Sequence, residues 1–145
     1  MILAGLALLA AAPAPGAITI SYGLWGAITT IRIAPDGILT VRRTGPQAEN
    51  RRIETGPTGY RRIAALVEPA HKWNGTDMPC DVRAQGRTPA LIRWEADRTS
   101  VHVPLNCMSG PADHEIELVR AAIDEIKTWA HDAPTNPASP ARNED

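Results

Sequence analysis

The chain has 145 residues, of which 43% are hydrophobic and 21% charged, and its formal net charge is -1. This length fits one domain and excludes two domains of ordinary size, and the balanced charge argues against a general nucleic-acid-binding protein. Phenylalanine is absent, and the aromatic residues are four tryptophans and two tyrosines. The predicted core therefore consists of aliphatic side chains with a few large rings.

The N-terminal segment has the features of a signal peptide. No Lys, Arg, Asp or Glu occurs before Arg32, and positions 2–12 contain only Ile, Leu, Ala and Gly. An apolar run of about eleven residues is typical of a signal-peptide core and is shorter than the roughly 20 residues that span a membrane. Ala14 and Gly16 predict cleavage after residue 16 and hence a periplasmic or secreted protein without a stable membrane anchor. The alternative is a buried N-terminal helix, since no basic residue precedes the apolar run.

Cys80 and Cys107 are the only two cysteines. Behind an export signal, an even number of cysteines predicts one disulfide. In a cytosolic chain the same pair would be two buried thiols. A zinc site is the other alternative, but neither cysteine has a CxxC partner or a nearby histidine.

The segment after the leader alternates between apolar and polar residues, which is the period of a β-strand. Two strands are predicted at 18–22 and 30–33, with a break at the glycines between them. The turn at 34–37 reads Ala-Pro-Asp-Gly, which predicts a hairpin to a third strand at 38–43. Residues 51–55 are expected to form a short edge strand.

The period changes to that of a helix after residue 59. Tyr60, Ile63 and Leu66 recur at helical spacing, and we expect Thr58 to be the N-cap and Pro69 to limit the helix. Residues 71–80 are predicted to form an ordered connection.

A second hairpin and a long helix are predicted in the last third of the chain. The hairpin runs through 90–94 and 101–105, with its turn at 96–99. The helix carries an apolar stripe and ends near residue 131. The stripe consists of Ile116, Val119, Ile123, Ile126 and Ala130.

Together these elements predict an α+β fold, in which an antiparallel sheet of four to five strands, built from two hairpins, has two helices packed on one face. The predicted domain spans residues 17–131. A signal peptide at 1–16 precedes it, and a proline-rich, disordered tail at 132–145 follows it.

The sequence contains no motif that carries a reaction by itself. It has no HExxH, GxSxG or P-loop pattern, so we predict no catalytic residue, cofactor or metal site. His71 is the histidine with the most room for a site, because Lys72, Trp73 and Asp77 accompany it in an irregular connection. One alternative is therefore a small periplasmic enzyme or ligand-binding protein that uses residues 71–80. Another is a structural envelope component.

Leu24, Trp25, Arg42 and Arg43 are the candidate interface residues. Trp25 lies at a predicted strand junction, where an exposed ring is typical of an interface anchor, although it can also fold inward. Residues 32–62 hold seven arginines and three acidic residues, whereas 113–132 hold six acidic and two basic residues.

These two charged stretches allow two interpretations. Either they attract each other within the molecule, or the arginines form a docking surface for an acidic partner. Neighbouring residues of a strand point to opposite faces, so an arginine doublet does not by itself make a patch.

The order of elements resembles that of the emfourins, which are small bacterial protein inhibitors of thermolysin-like metalloproteases. The resemblance rests on the glycine-flanked segment 23–26, the helical segment 63–70, Trp73, the pair Met78 and Pro79, the hairpin through His102 and Val103, and the closing helix. It implies a non-enzymatic, exported protein-binding module with a metalloprotease as the candidate partner.

Overall fold

The computed structural model describes residues 14–24, 26–86 and 89–133. The described ranges contain eight strands, two α-helices and one 3-10 helix. The strands are β1 (Ile18–Leu24), β2 (Ala27–Ile33), β3 (Ile38–Arg43), β4 (Glu49–Glu54), β5 (Val82–Arg83), β6 (Ala90–Trp94), β7 (Thr99–Val103) and β8 (Cys107–Ser109). The helices are α1 (Gly56–Val67), the 3-10 helix (Glu68–Trp73) and α2 (Asp113–Asp132).

Six of the strands form one antiparallel sheet in the order β4-β3-β2-β1-β6-β7, and β5 pairs with β8 in a separate small sheet. The predicted α+β fold is confirmed. The sheet has six strands rather than four to five, because all six strands predicted along the chain, including the edge strand β4, pair within it, and β1 joins β6 between the two hairpins. In that pairing Ile18 lies opposite Trp94, and Ile20 lies opposite Ile92.

One face of the sheet packs against the helices, because alternate side chains of each strand are apolar and point to it. The aliphatic side chains buried on this face are Ile18, Ile20, Ile31, Ile33, Leu39, Val41, Ala90, Ile92, Val101 and Val103. They form one cluster with the buried stripes of α1 and α2. Trp94 is in this core, with 7% of its surface exposed. The core therefore has the predicted aliphatic composition.

The first helix begins earlier than predicted. α1 starts at Gly56 with Thr55 in the N-cap position, so the prediction of Thr58 as the N-cap is wrong. Proline is favoured in the first turn of a helix, and Pro57 therefore lies within α1 instead of before it. The α-helix ends at Val67, next to Pro69, and the chain continues as the 3-10 helix.

The other boundaries differ by a few residues. The edge strand β4 covers Glu49–Glu54 rather than 51–55, and α2 ends at Asp132. His102 is exposed between two buried valines, as expected from strand alternation. Residues 1–13 of the predicted leader and residues 134–145 of the predicted tail lie outside the described ranges.

The disulfide is present between Cys80 and Cys107, with an S–S distance of 2.06 Å and a Cα–Cα distance of 5.7 Å. This confirms the predicted pairing. Within the described ranges, no group of three or more His, Cys, Asp or Glu side chains is placed to hold a metal ion. No helix in these ranges combines the length and apolar composition that crossing a membrane requires.

Candidate functional site

The end of the β1–β2 hairpin carries two exposed apolar side chains. β1 and β2 stay paired up to the turn between them, where Gly23 lies opposite Ile28 and Leu24 opposite Ala27. The exposed fraction is 57% for Leu24 and 52% for Ile28. Trp25, the central residue of the predicted interface, lies outside the described ranges. We call the paired residues Gly23, Leu24, Ala27 and Ile28 the hairpin end.

A glycine is required within the hairpin end. A Cβ atom added to Gly23 would lie 2.2 Å from the carbonyl oxygen of Ala27 and 2.9 Å from the Cα of Ile28. Both distances are far below van der Waals contact. The absence of a side chain therefore lets the two strands stay close to each other up to the point where Leu24 leaves the sheet.

Leu24 lies between two clefts. The first has a volume of about 470 Å³ and separates the hairpin end from α2, with Tyr22, Leu105 and Ile123 among its walls. The second has a volume of about 390 Å³ and lies on the other side of the hairpin, where Ile28 and Pro89 contribute to it. Both clefts have largely apolar walls, which is typical of a surface that receives apolar groups.

Charged groups surround the first cleft. The Nζ atom of Lys127 lies 5.6 Å from the centroid of the Tyr22 ring, which is a cation–π distance. Burial of Tyr22 raises the pKa of its phenol, so the phenol stays neutral at physiological pH. Arg120 donates to the carbonyl oxygens of Leu105 at 2.7 Å and Cys107 at 2.8 Å. These hydrogen bonds attach the segment from Leu105 to Cys107 to α2.

The predicted interface arginines lie near the same end of the sheet but on opposite faces. Arg42 is exposed on the face away from the helices, and Arg43 is half-buried on the helix side, opposite Thr29. The backbone nitrogen of Thr44 donates to the carbonyl oxygen of Ile28 at 3.0 Å, which brings the end of β3 next to the hairpin end. The doublet is split between two surfaces, as strand geometry predicts.

Ile28 is the residue of this site that the sequence analysis missed. Its neighbours Thr29, Ile31 and Ile33 are buried on the helix side, so the period of two places Ile28 on the opposite face. An apolar residue out of phase with its strand was the available signal.

In residues 71–80, the alternative site of the sequence analysis, His71 makes several polar side-chain contacts. Its Nε2 atom lies 2.7 Å from Thr99 Oγ1 and 2.9 Å from Asp97 Oδ2, and its Nδ1 atom lies 3.2 Å from Glu68 Oε1. The ring stacks on Trp94 with 4.3 Å between centroids and 14° between planes.

The hydrogen bonds of this cluster connect the 3-10 helix to the β6–β7 hairpin. Thr99 Oγ1 also lies 2.6 Å from Asp97 Oδ1, and the Thr99 hydroxyl, by this hydrogen bond, lowers the pKa of Asp97. An ionised carboxylate only accepts, so Thr99 gives its single hydrogen to Asp97 and accepts from His71 Nε2. We interpret the cluster as a clamp between the 3-10 helix and the β6–β7 turn.

Acid is expected to destabilise the protein, because three carboxylates have lowered pKa values. The causes are hydrogen bonds from Arg32 to Glu95, from Thr99 to Asp97 and from Lys72 to Glu115. The ordinary pKa is 4.5 for the two glutamates and 3.8 for the aspartate. A carboxyl group with a lowered folded pKa stabilises the fold fully above its ordinary value, and this contribution is lost as the pH falls through the folded value.

The urea midpoint should thus stay constant between about pH 7 and pH 5 and decrease below about pH 4. In the Lys72→Met variant, Glu115 loses its partner, so the midpoint should decrease less steeply. An identical pH profile for both proteins would contradict the role of the Lys72–Glu115 pair.

No protein-family model, no curated protein and no solved structure matches this chain. The resemblance to emfourins and the metalloprotease partner stay predictions.

Proposed function

We propose that this chain is a non-enzymatic, exported protein-binding module that binds its partner through the hairpin end. The observation that carries the proposal is the exposure of Leu24 and Ile28 beside two clefts. The centre of a protein interface is apolar and closely packed. The exposed side chains of the hairpin end can enter depressions on a partner, and the two clefts can receive apolar side chains of that partner.

The other exposed apolar side chains and the other clefts are weaker candidates for the binding surface. Val82 and Met108 are also exposed apolar residues, at 49% and 69%, but neither lines the two clefts of the hairpin end. A cleft of about 590 Å³ borders Arg62, Trp129 and Ala133 at the end of α2, and none of the large exposed apolar side chains lines it. Among the described residues, the hairpin end combines large exposed apolar side chains with two adjoining clefts.

Export is supported by two features. An apolar run of about eleven residues followed by small residues is typical of a signal peptide, and the Cys80–Cys107 disulfide is typical of oxidising compartments. The resemblance to emfourins makes a thermolysin-like metalloprotease the first partner to test. A hairpin whose first strand ends in an exposed leucine suits insertion into an enzyme cleft.

The Leu24→Ser variant is expected to bind the partner about tenfold more weakly or worse. Complete burial of a leucine contributes roughly 1.5–3 kcal/mol, and each 1.4 kcal/mol changes a dissociation constant about tenfold. The measurement is inhibition and direct binding of purified thermolysin-like metalloproteases by the parent chain and the variant.

Met108→Ser is the matched control, because it removes an exposed apolar side chain from the small sheet. We expect its affinity to equal that of the parent. Equal loss in both variants would show that the hairpin end is not the binding surface. A parent chain that neither binds nor inhibits these proteases would refute the metalloprotease assignment.

A further inference from the structure

The face of the six-stranded sheet opposite the helices has an ordered set of arginines and hydroxyl groups. Two rows of side chains cross it. The register of the strands defines the first row as Arg52, Thr40, Arg32, Thr19, Arg93 and Ser100, and the second as Asn50, Arg42, Thr30, Ser21, Leu91 and His102. We call these two rows the open face.

The arginines of the first row are evenly spaced. Arg52 is on β4, Arg32 on β2 and Arg93 on β6, so each is two strands from the next. Neighbouring strands lie about 4.8 Å apart, which places these Cα positions roughly 10 Å apart in a row about 24 Å long. Thr40 and Thr19 occupy the positions between them, and Ser100 ends the row.

The open face carries an excess of positive charge. Arg32 is held by Glu95, with two nitrogen–oxygen distances of 2.9 Å, and Arg52 lies 3.7 Å from Glu54. Arg42 and Arg93 are exposed, and no carboxylate of the described residues lies within 4.0 Å of either. Two guanidinium groups are thus available for an outside anion, on a surface with four arginines.

We propose that the open face binds a linear acidic polysaccharide. Guanidinium groups bind carboxylate and sulfate groups through paired hydrogen bonds, and the hydroxyl groups between the arginines can exchange hydrogen bonds with sugar hydroxyls. An extended sheet face with exposed guanidinium groups suits an extended chain that carries anionic groups along its length.

The composition of the face favours a polysaccharide over a single-stranded nucleic acid. Proteins that bind single strands without sequence preference stack the bases on aromatic side chains, and the two rows contain no Phe, Tyr or Trp. The two rows contain none of the hairpin-end residues, although Ile28 and the candidate interface residue Arg42 lie on the same face of the sheet.

The test measures binding of the full chain, with its disulfide intact, to polygalacturonate at low salt. The double variant Arg42→Gln/Arg93→Gln is expected to bind about tenfold more weakly, because it loses two charge-assisted contacts. The control Arg61→Gln/Lys127→Gln removes the same charge from α1 and α2, where both side chains are exposed, and should change affinity less than twofold. Thermal unfolding establishes that all variants fold.

Neutral dextran and a single-stranded oligonucleotide complete the experiment. We expect no binding to dextran and loss of polygalacturonate binding as salt increases, since the attraction is between exposed charges. Three results would each overturn the proposal: no binding of polygalacturonate, equal weakening in both double variants, or tighter binding of the oligonucleotide at equal charge concentration.

Discussion

Replacing both cysteines, as Cys80→Ala/Cys107→Ala, is expected to lower the free energy of unfolding by about 3–4 kcal/mol. The disulfide closes a loop with a sequence separation of 27 residues, and this closure restricts the unfolded chain. A single domain has a typical stability of roughly 5–15 kcal/mol, so the loss is a large part of the total. Urea denaturation of parent and variant measures it.

Reductant provides the control for this prediction. It should shift the urea midpoint of the parent to that of the double variant and leave the double variant unchanged. A variant as stable as the parent would contradict the expected effect. Free thiols in protein recovered from the periplasm would contradict the interpretation of the disulfide as a mark of export.

The disulfide also affects the proposed binding site. Cys107 begins β8, and its carbonyl oxygen accepts from Arg120 on α2. Leu105 and Arg120 both line the cleft beside the hairpin end. Loss of the disulfide should therefore loosen one wall of this cleft and weaken partner binding even where the protein remains folded.

Elements with a local cause were predictable from the sequence. β3 has the predicted bounds, Ile38–Arg43, because the preceding turn is built by its own residues: the nitrogen of Gly37 donates to the carbonyl oxygen of Ala34 at 2.8 Å. The pairing of β1 with β6 was not predictable in the same way. Alternation predicts which face a residue occupies, but it contains no information on which distant strand lies beside it.

The candidate site shows the same limit. The exposure of Leu24 follows from its place at a strand end, and the split of Arg42 from Arg43 follows from alternation. The contacts of His71 with Asp97 and Thr99 depend on how the 3-10 helix packs near the β6–β7 turn, and no local pattern predicts that packing. The arginine rows likewise become visible only when the register of all six strands is known.

The Gly37→Ala variant is expected to lose about 3 kcal/mol of stability or more, because strain at a special backbone conformation is combined with a steric clash. Gly37 has a φ of +84°. A Cβ atom added there would lie 1.8 Å from the carbonyl oxygen of Gly56 and 2.5 Å from its nitrogen. The carbonyl oxygen of Gly37 also accepts from the nitrogen of Thr55 at 3.0 Å and from its hydroxyl at 2.7 Å. The turn before β3 and the start of α1 are thus in backbone contact, and an added methyl group would separate them.

Gly75→Ala separates the clash from the backbone strain. Gly75 has a similar φ of +74°, but no atom lies within 4 Å of its added Cβ. Its substitution should cost only about 1–2 kcal/mol, which is the strain of a left-handed alanine. The difference in the free energy of unfolding between the two variants is obtained from their urea midpoints, for equal m-values. A Gly37→Ala variant no less stable than Gly75→Ala would mean that the turn and α1 move apart at little cost, and that this contact does not help to hold α1 against the sheet.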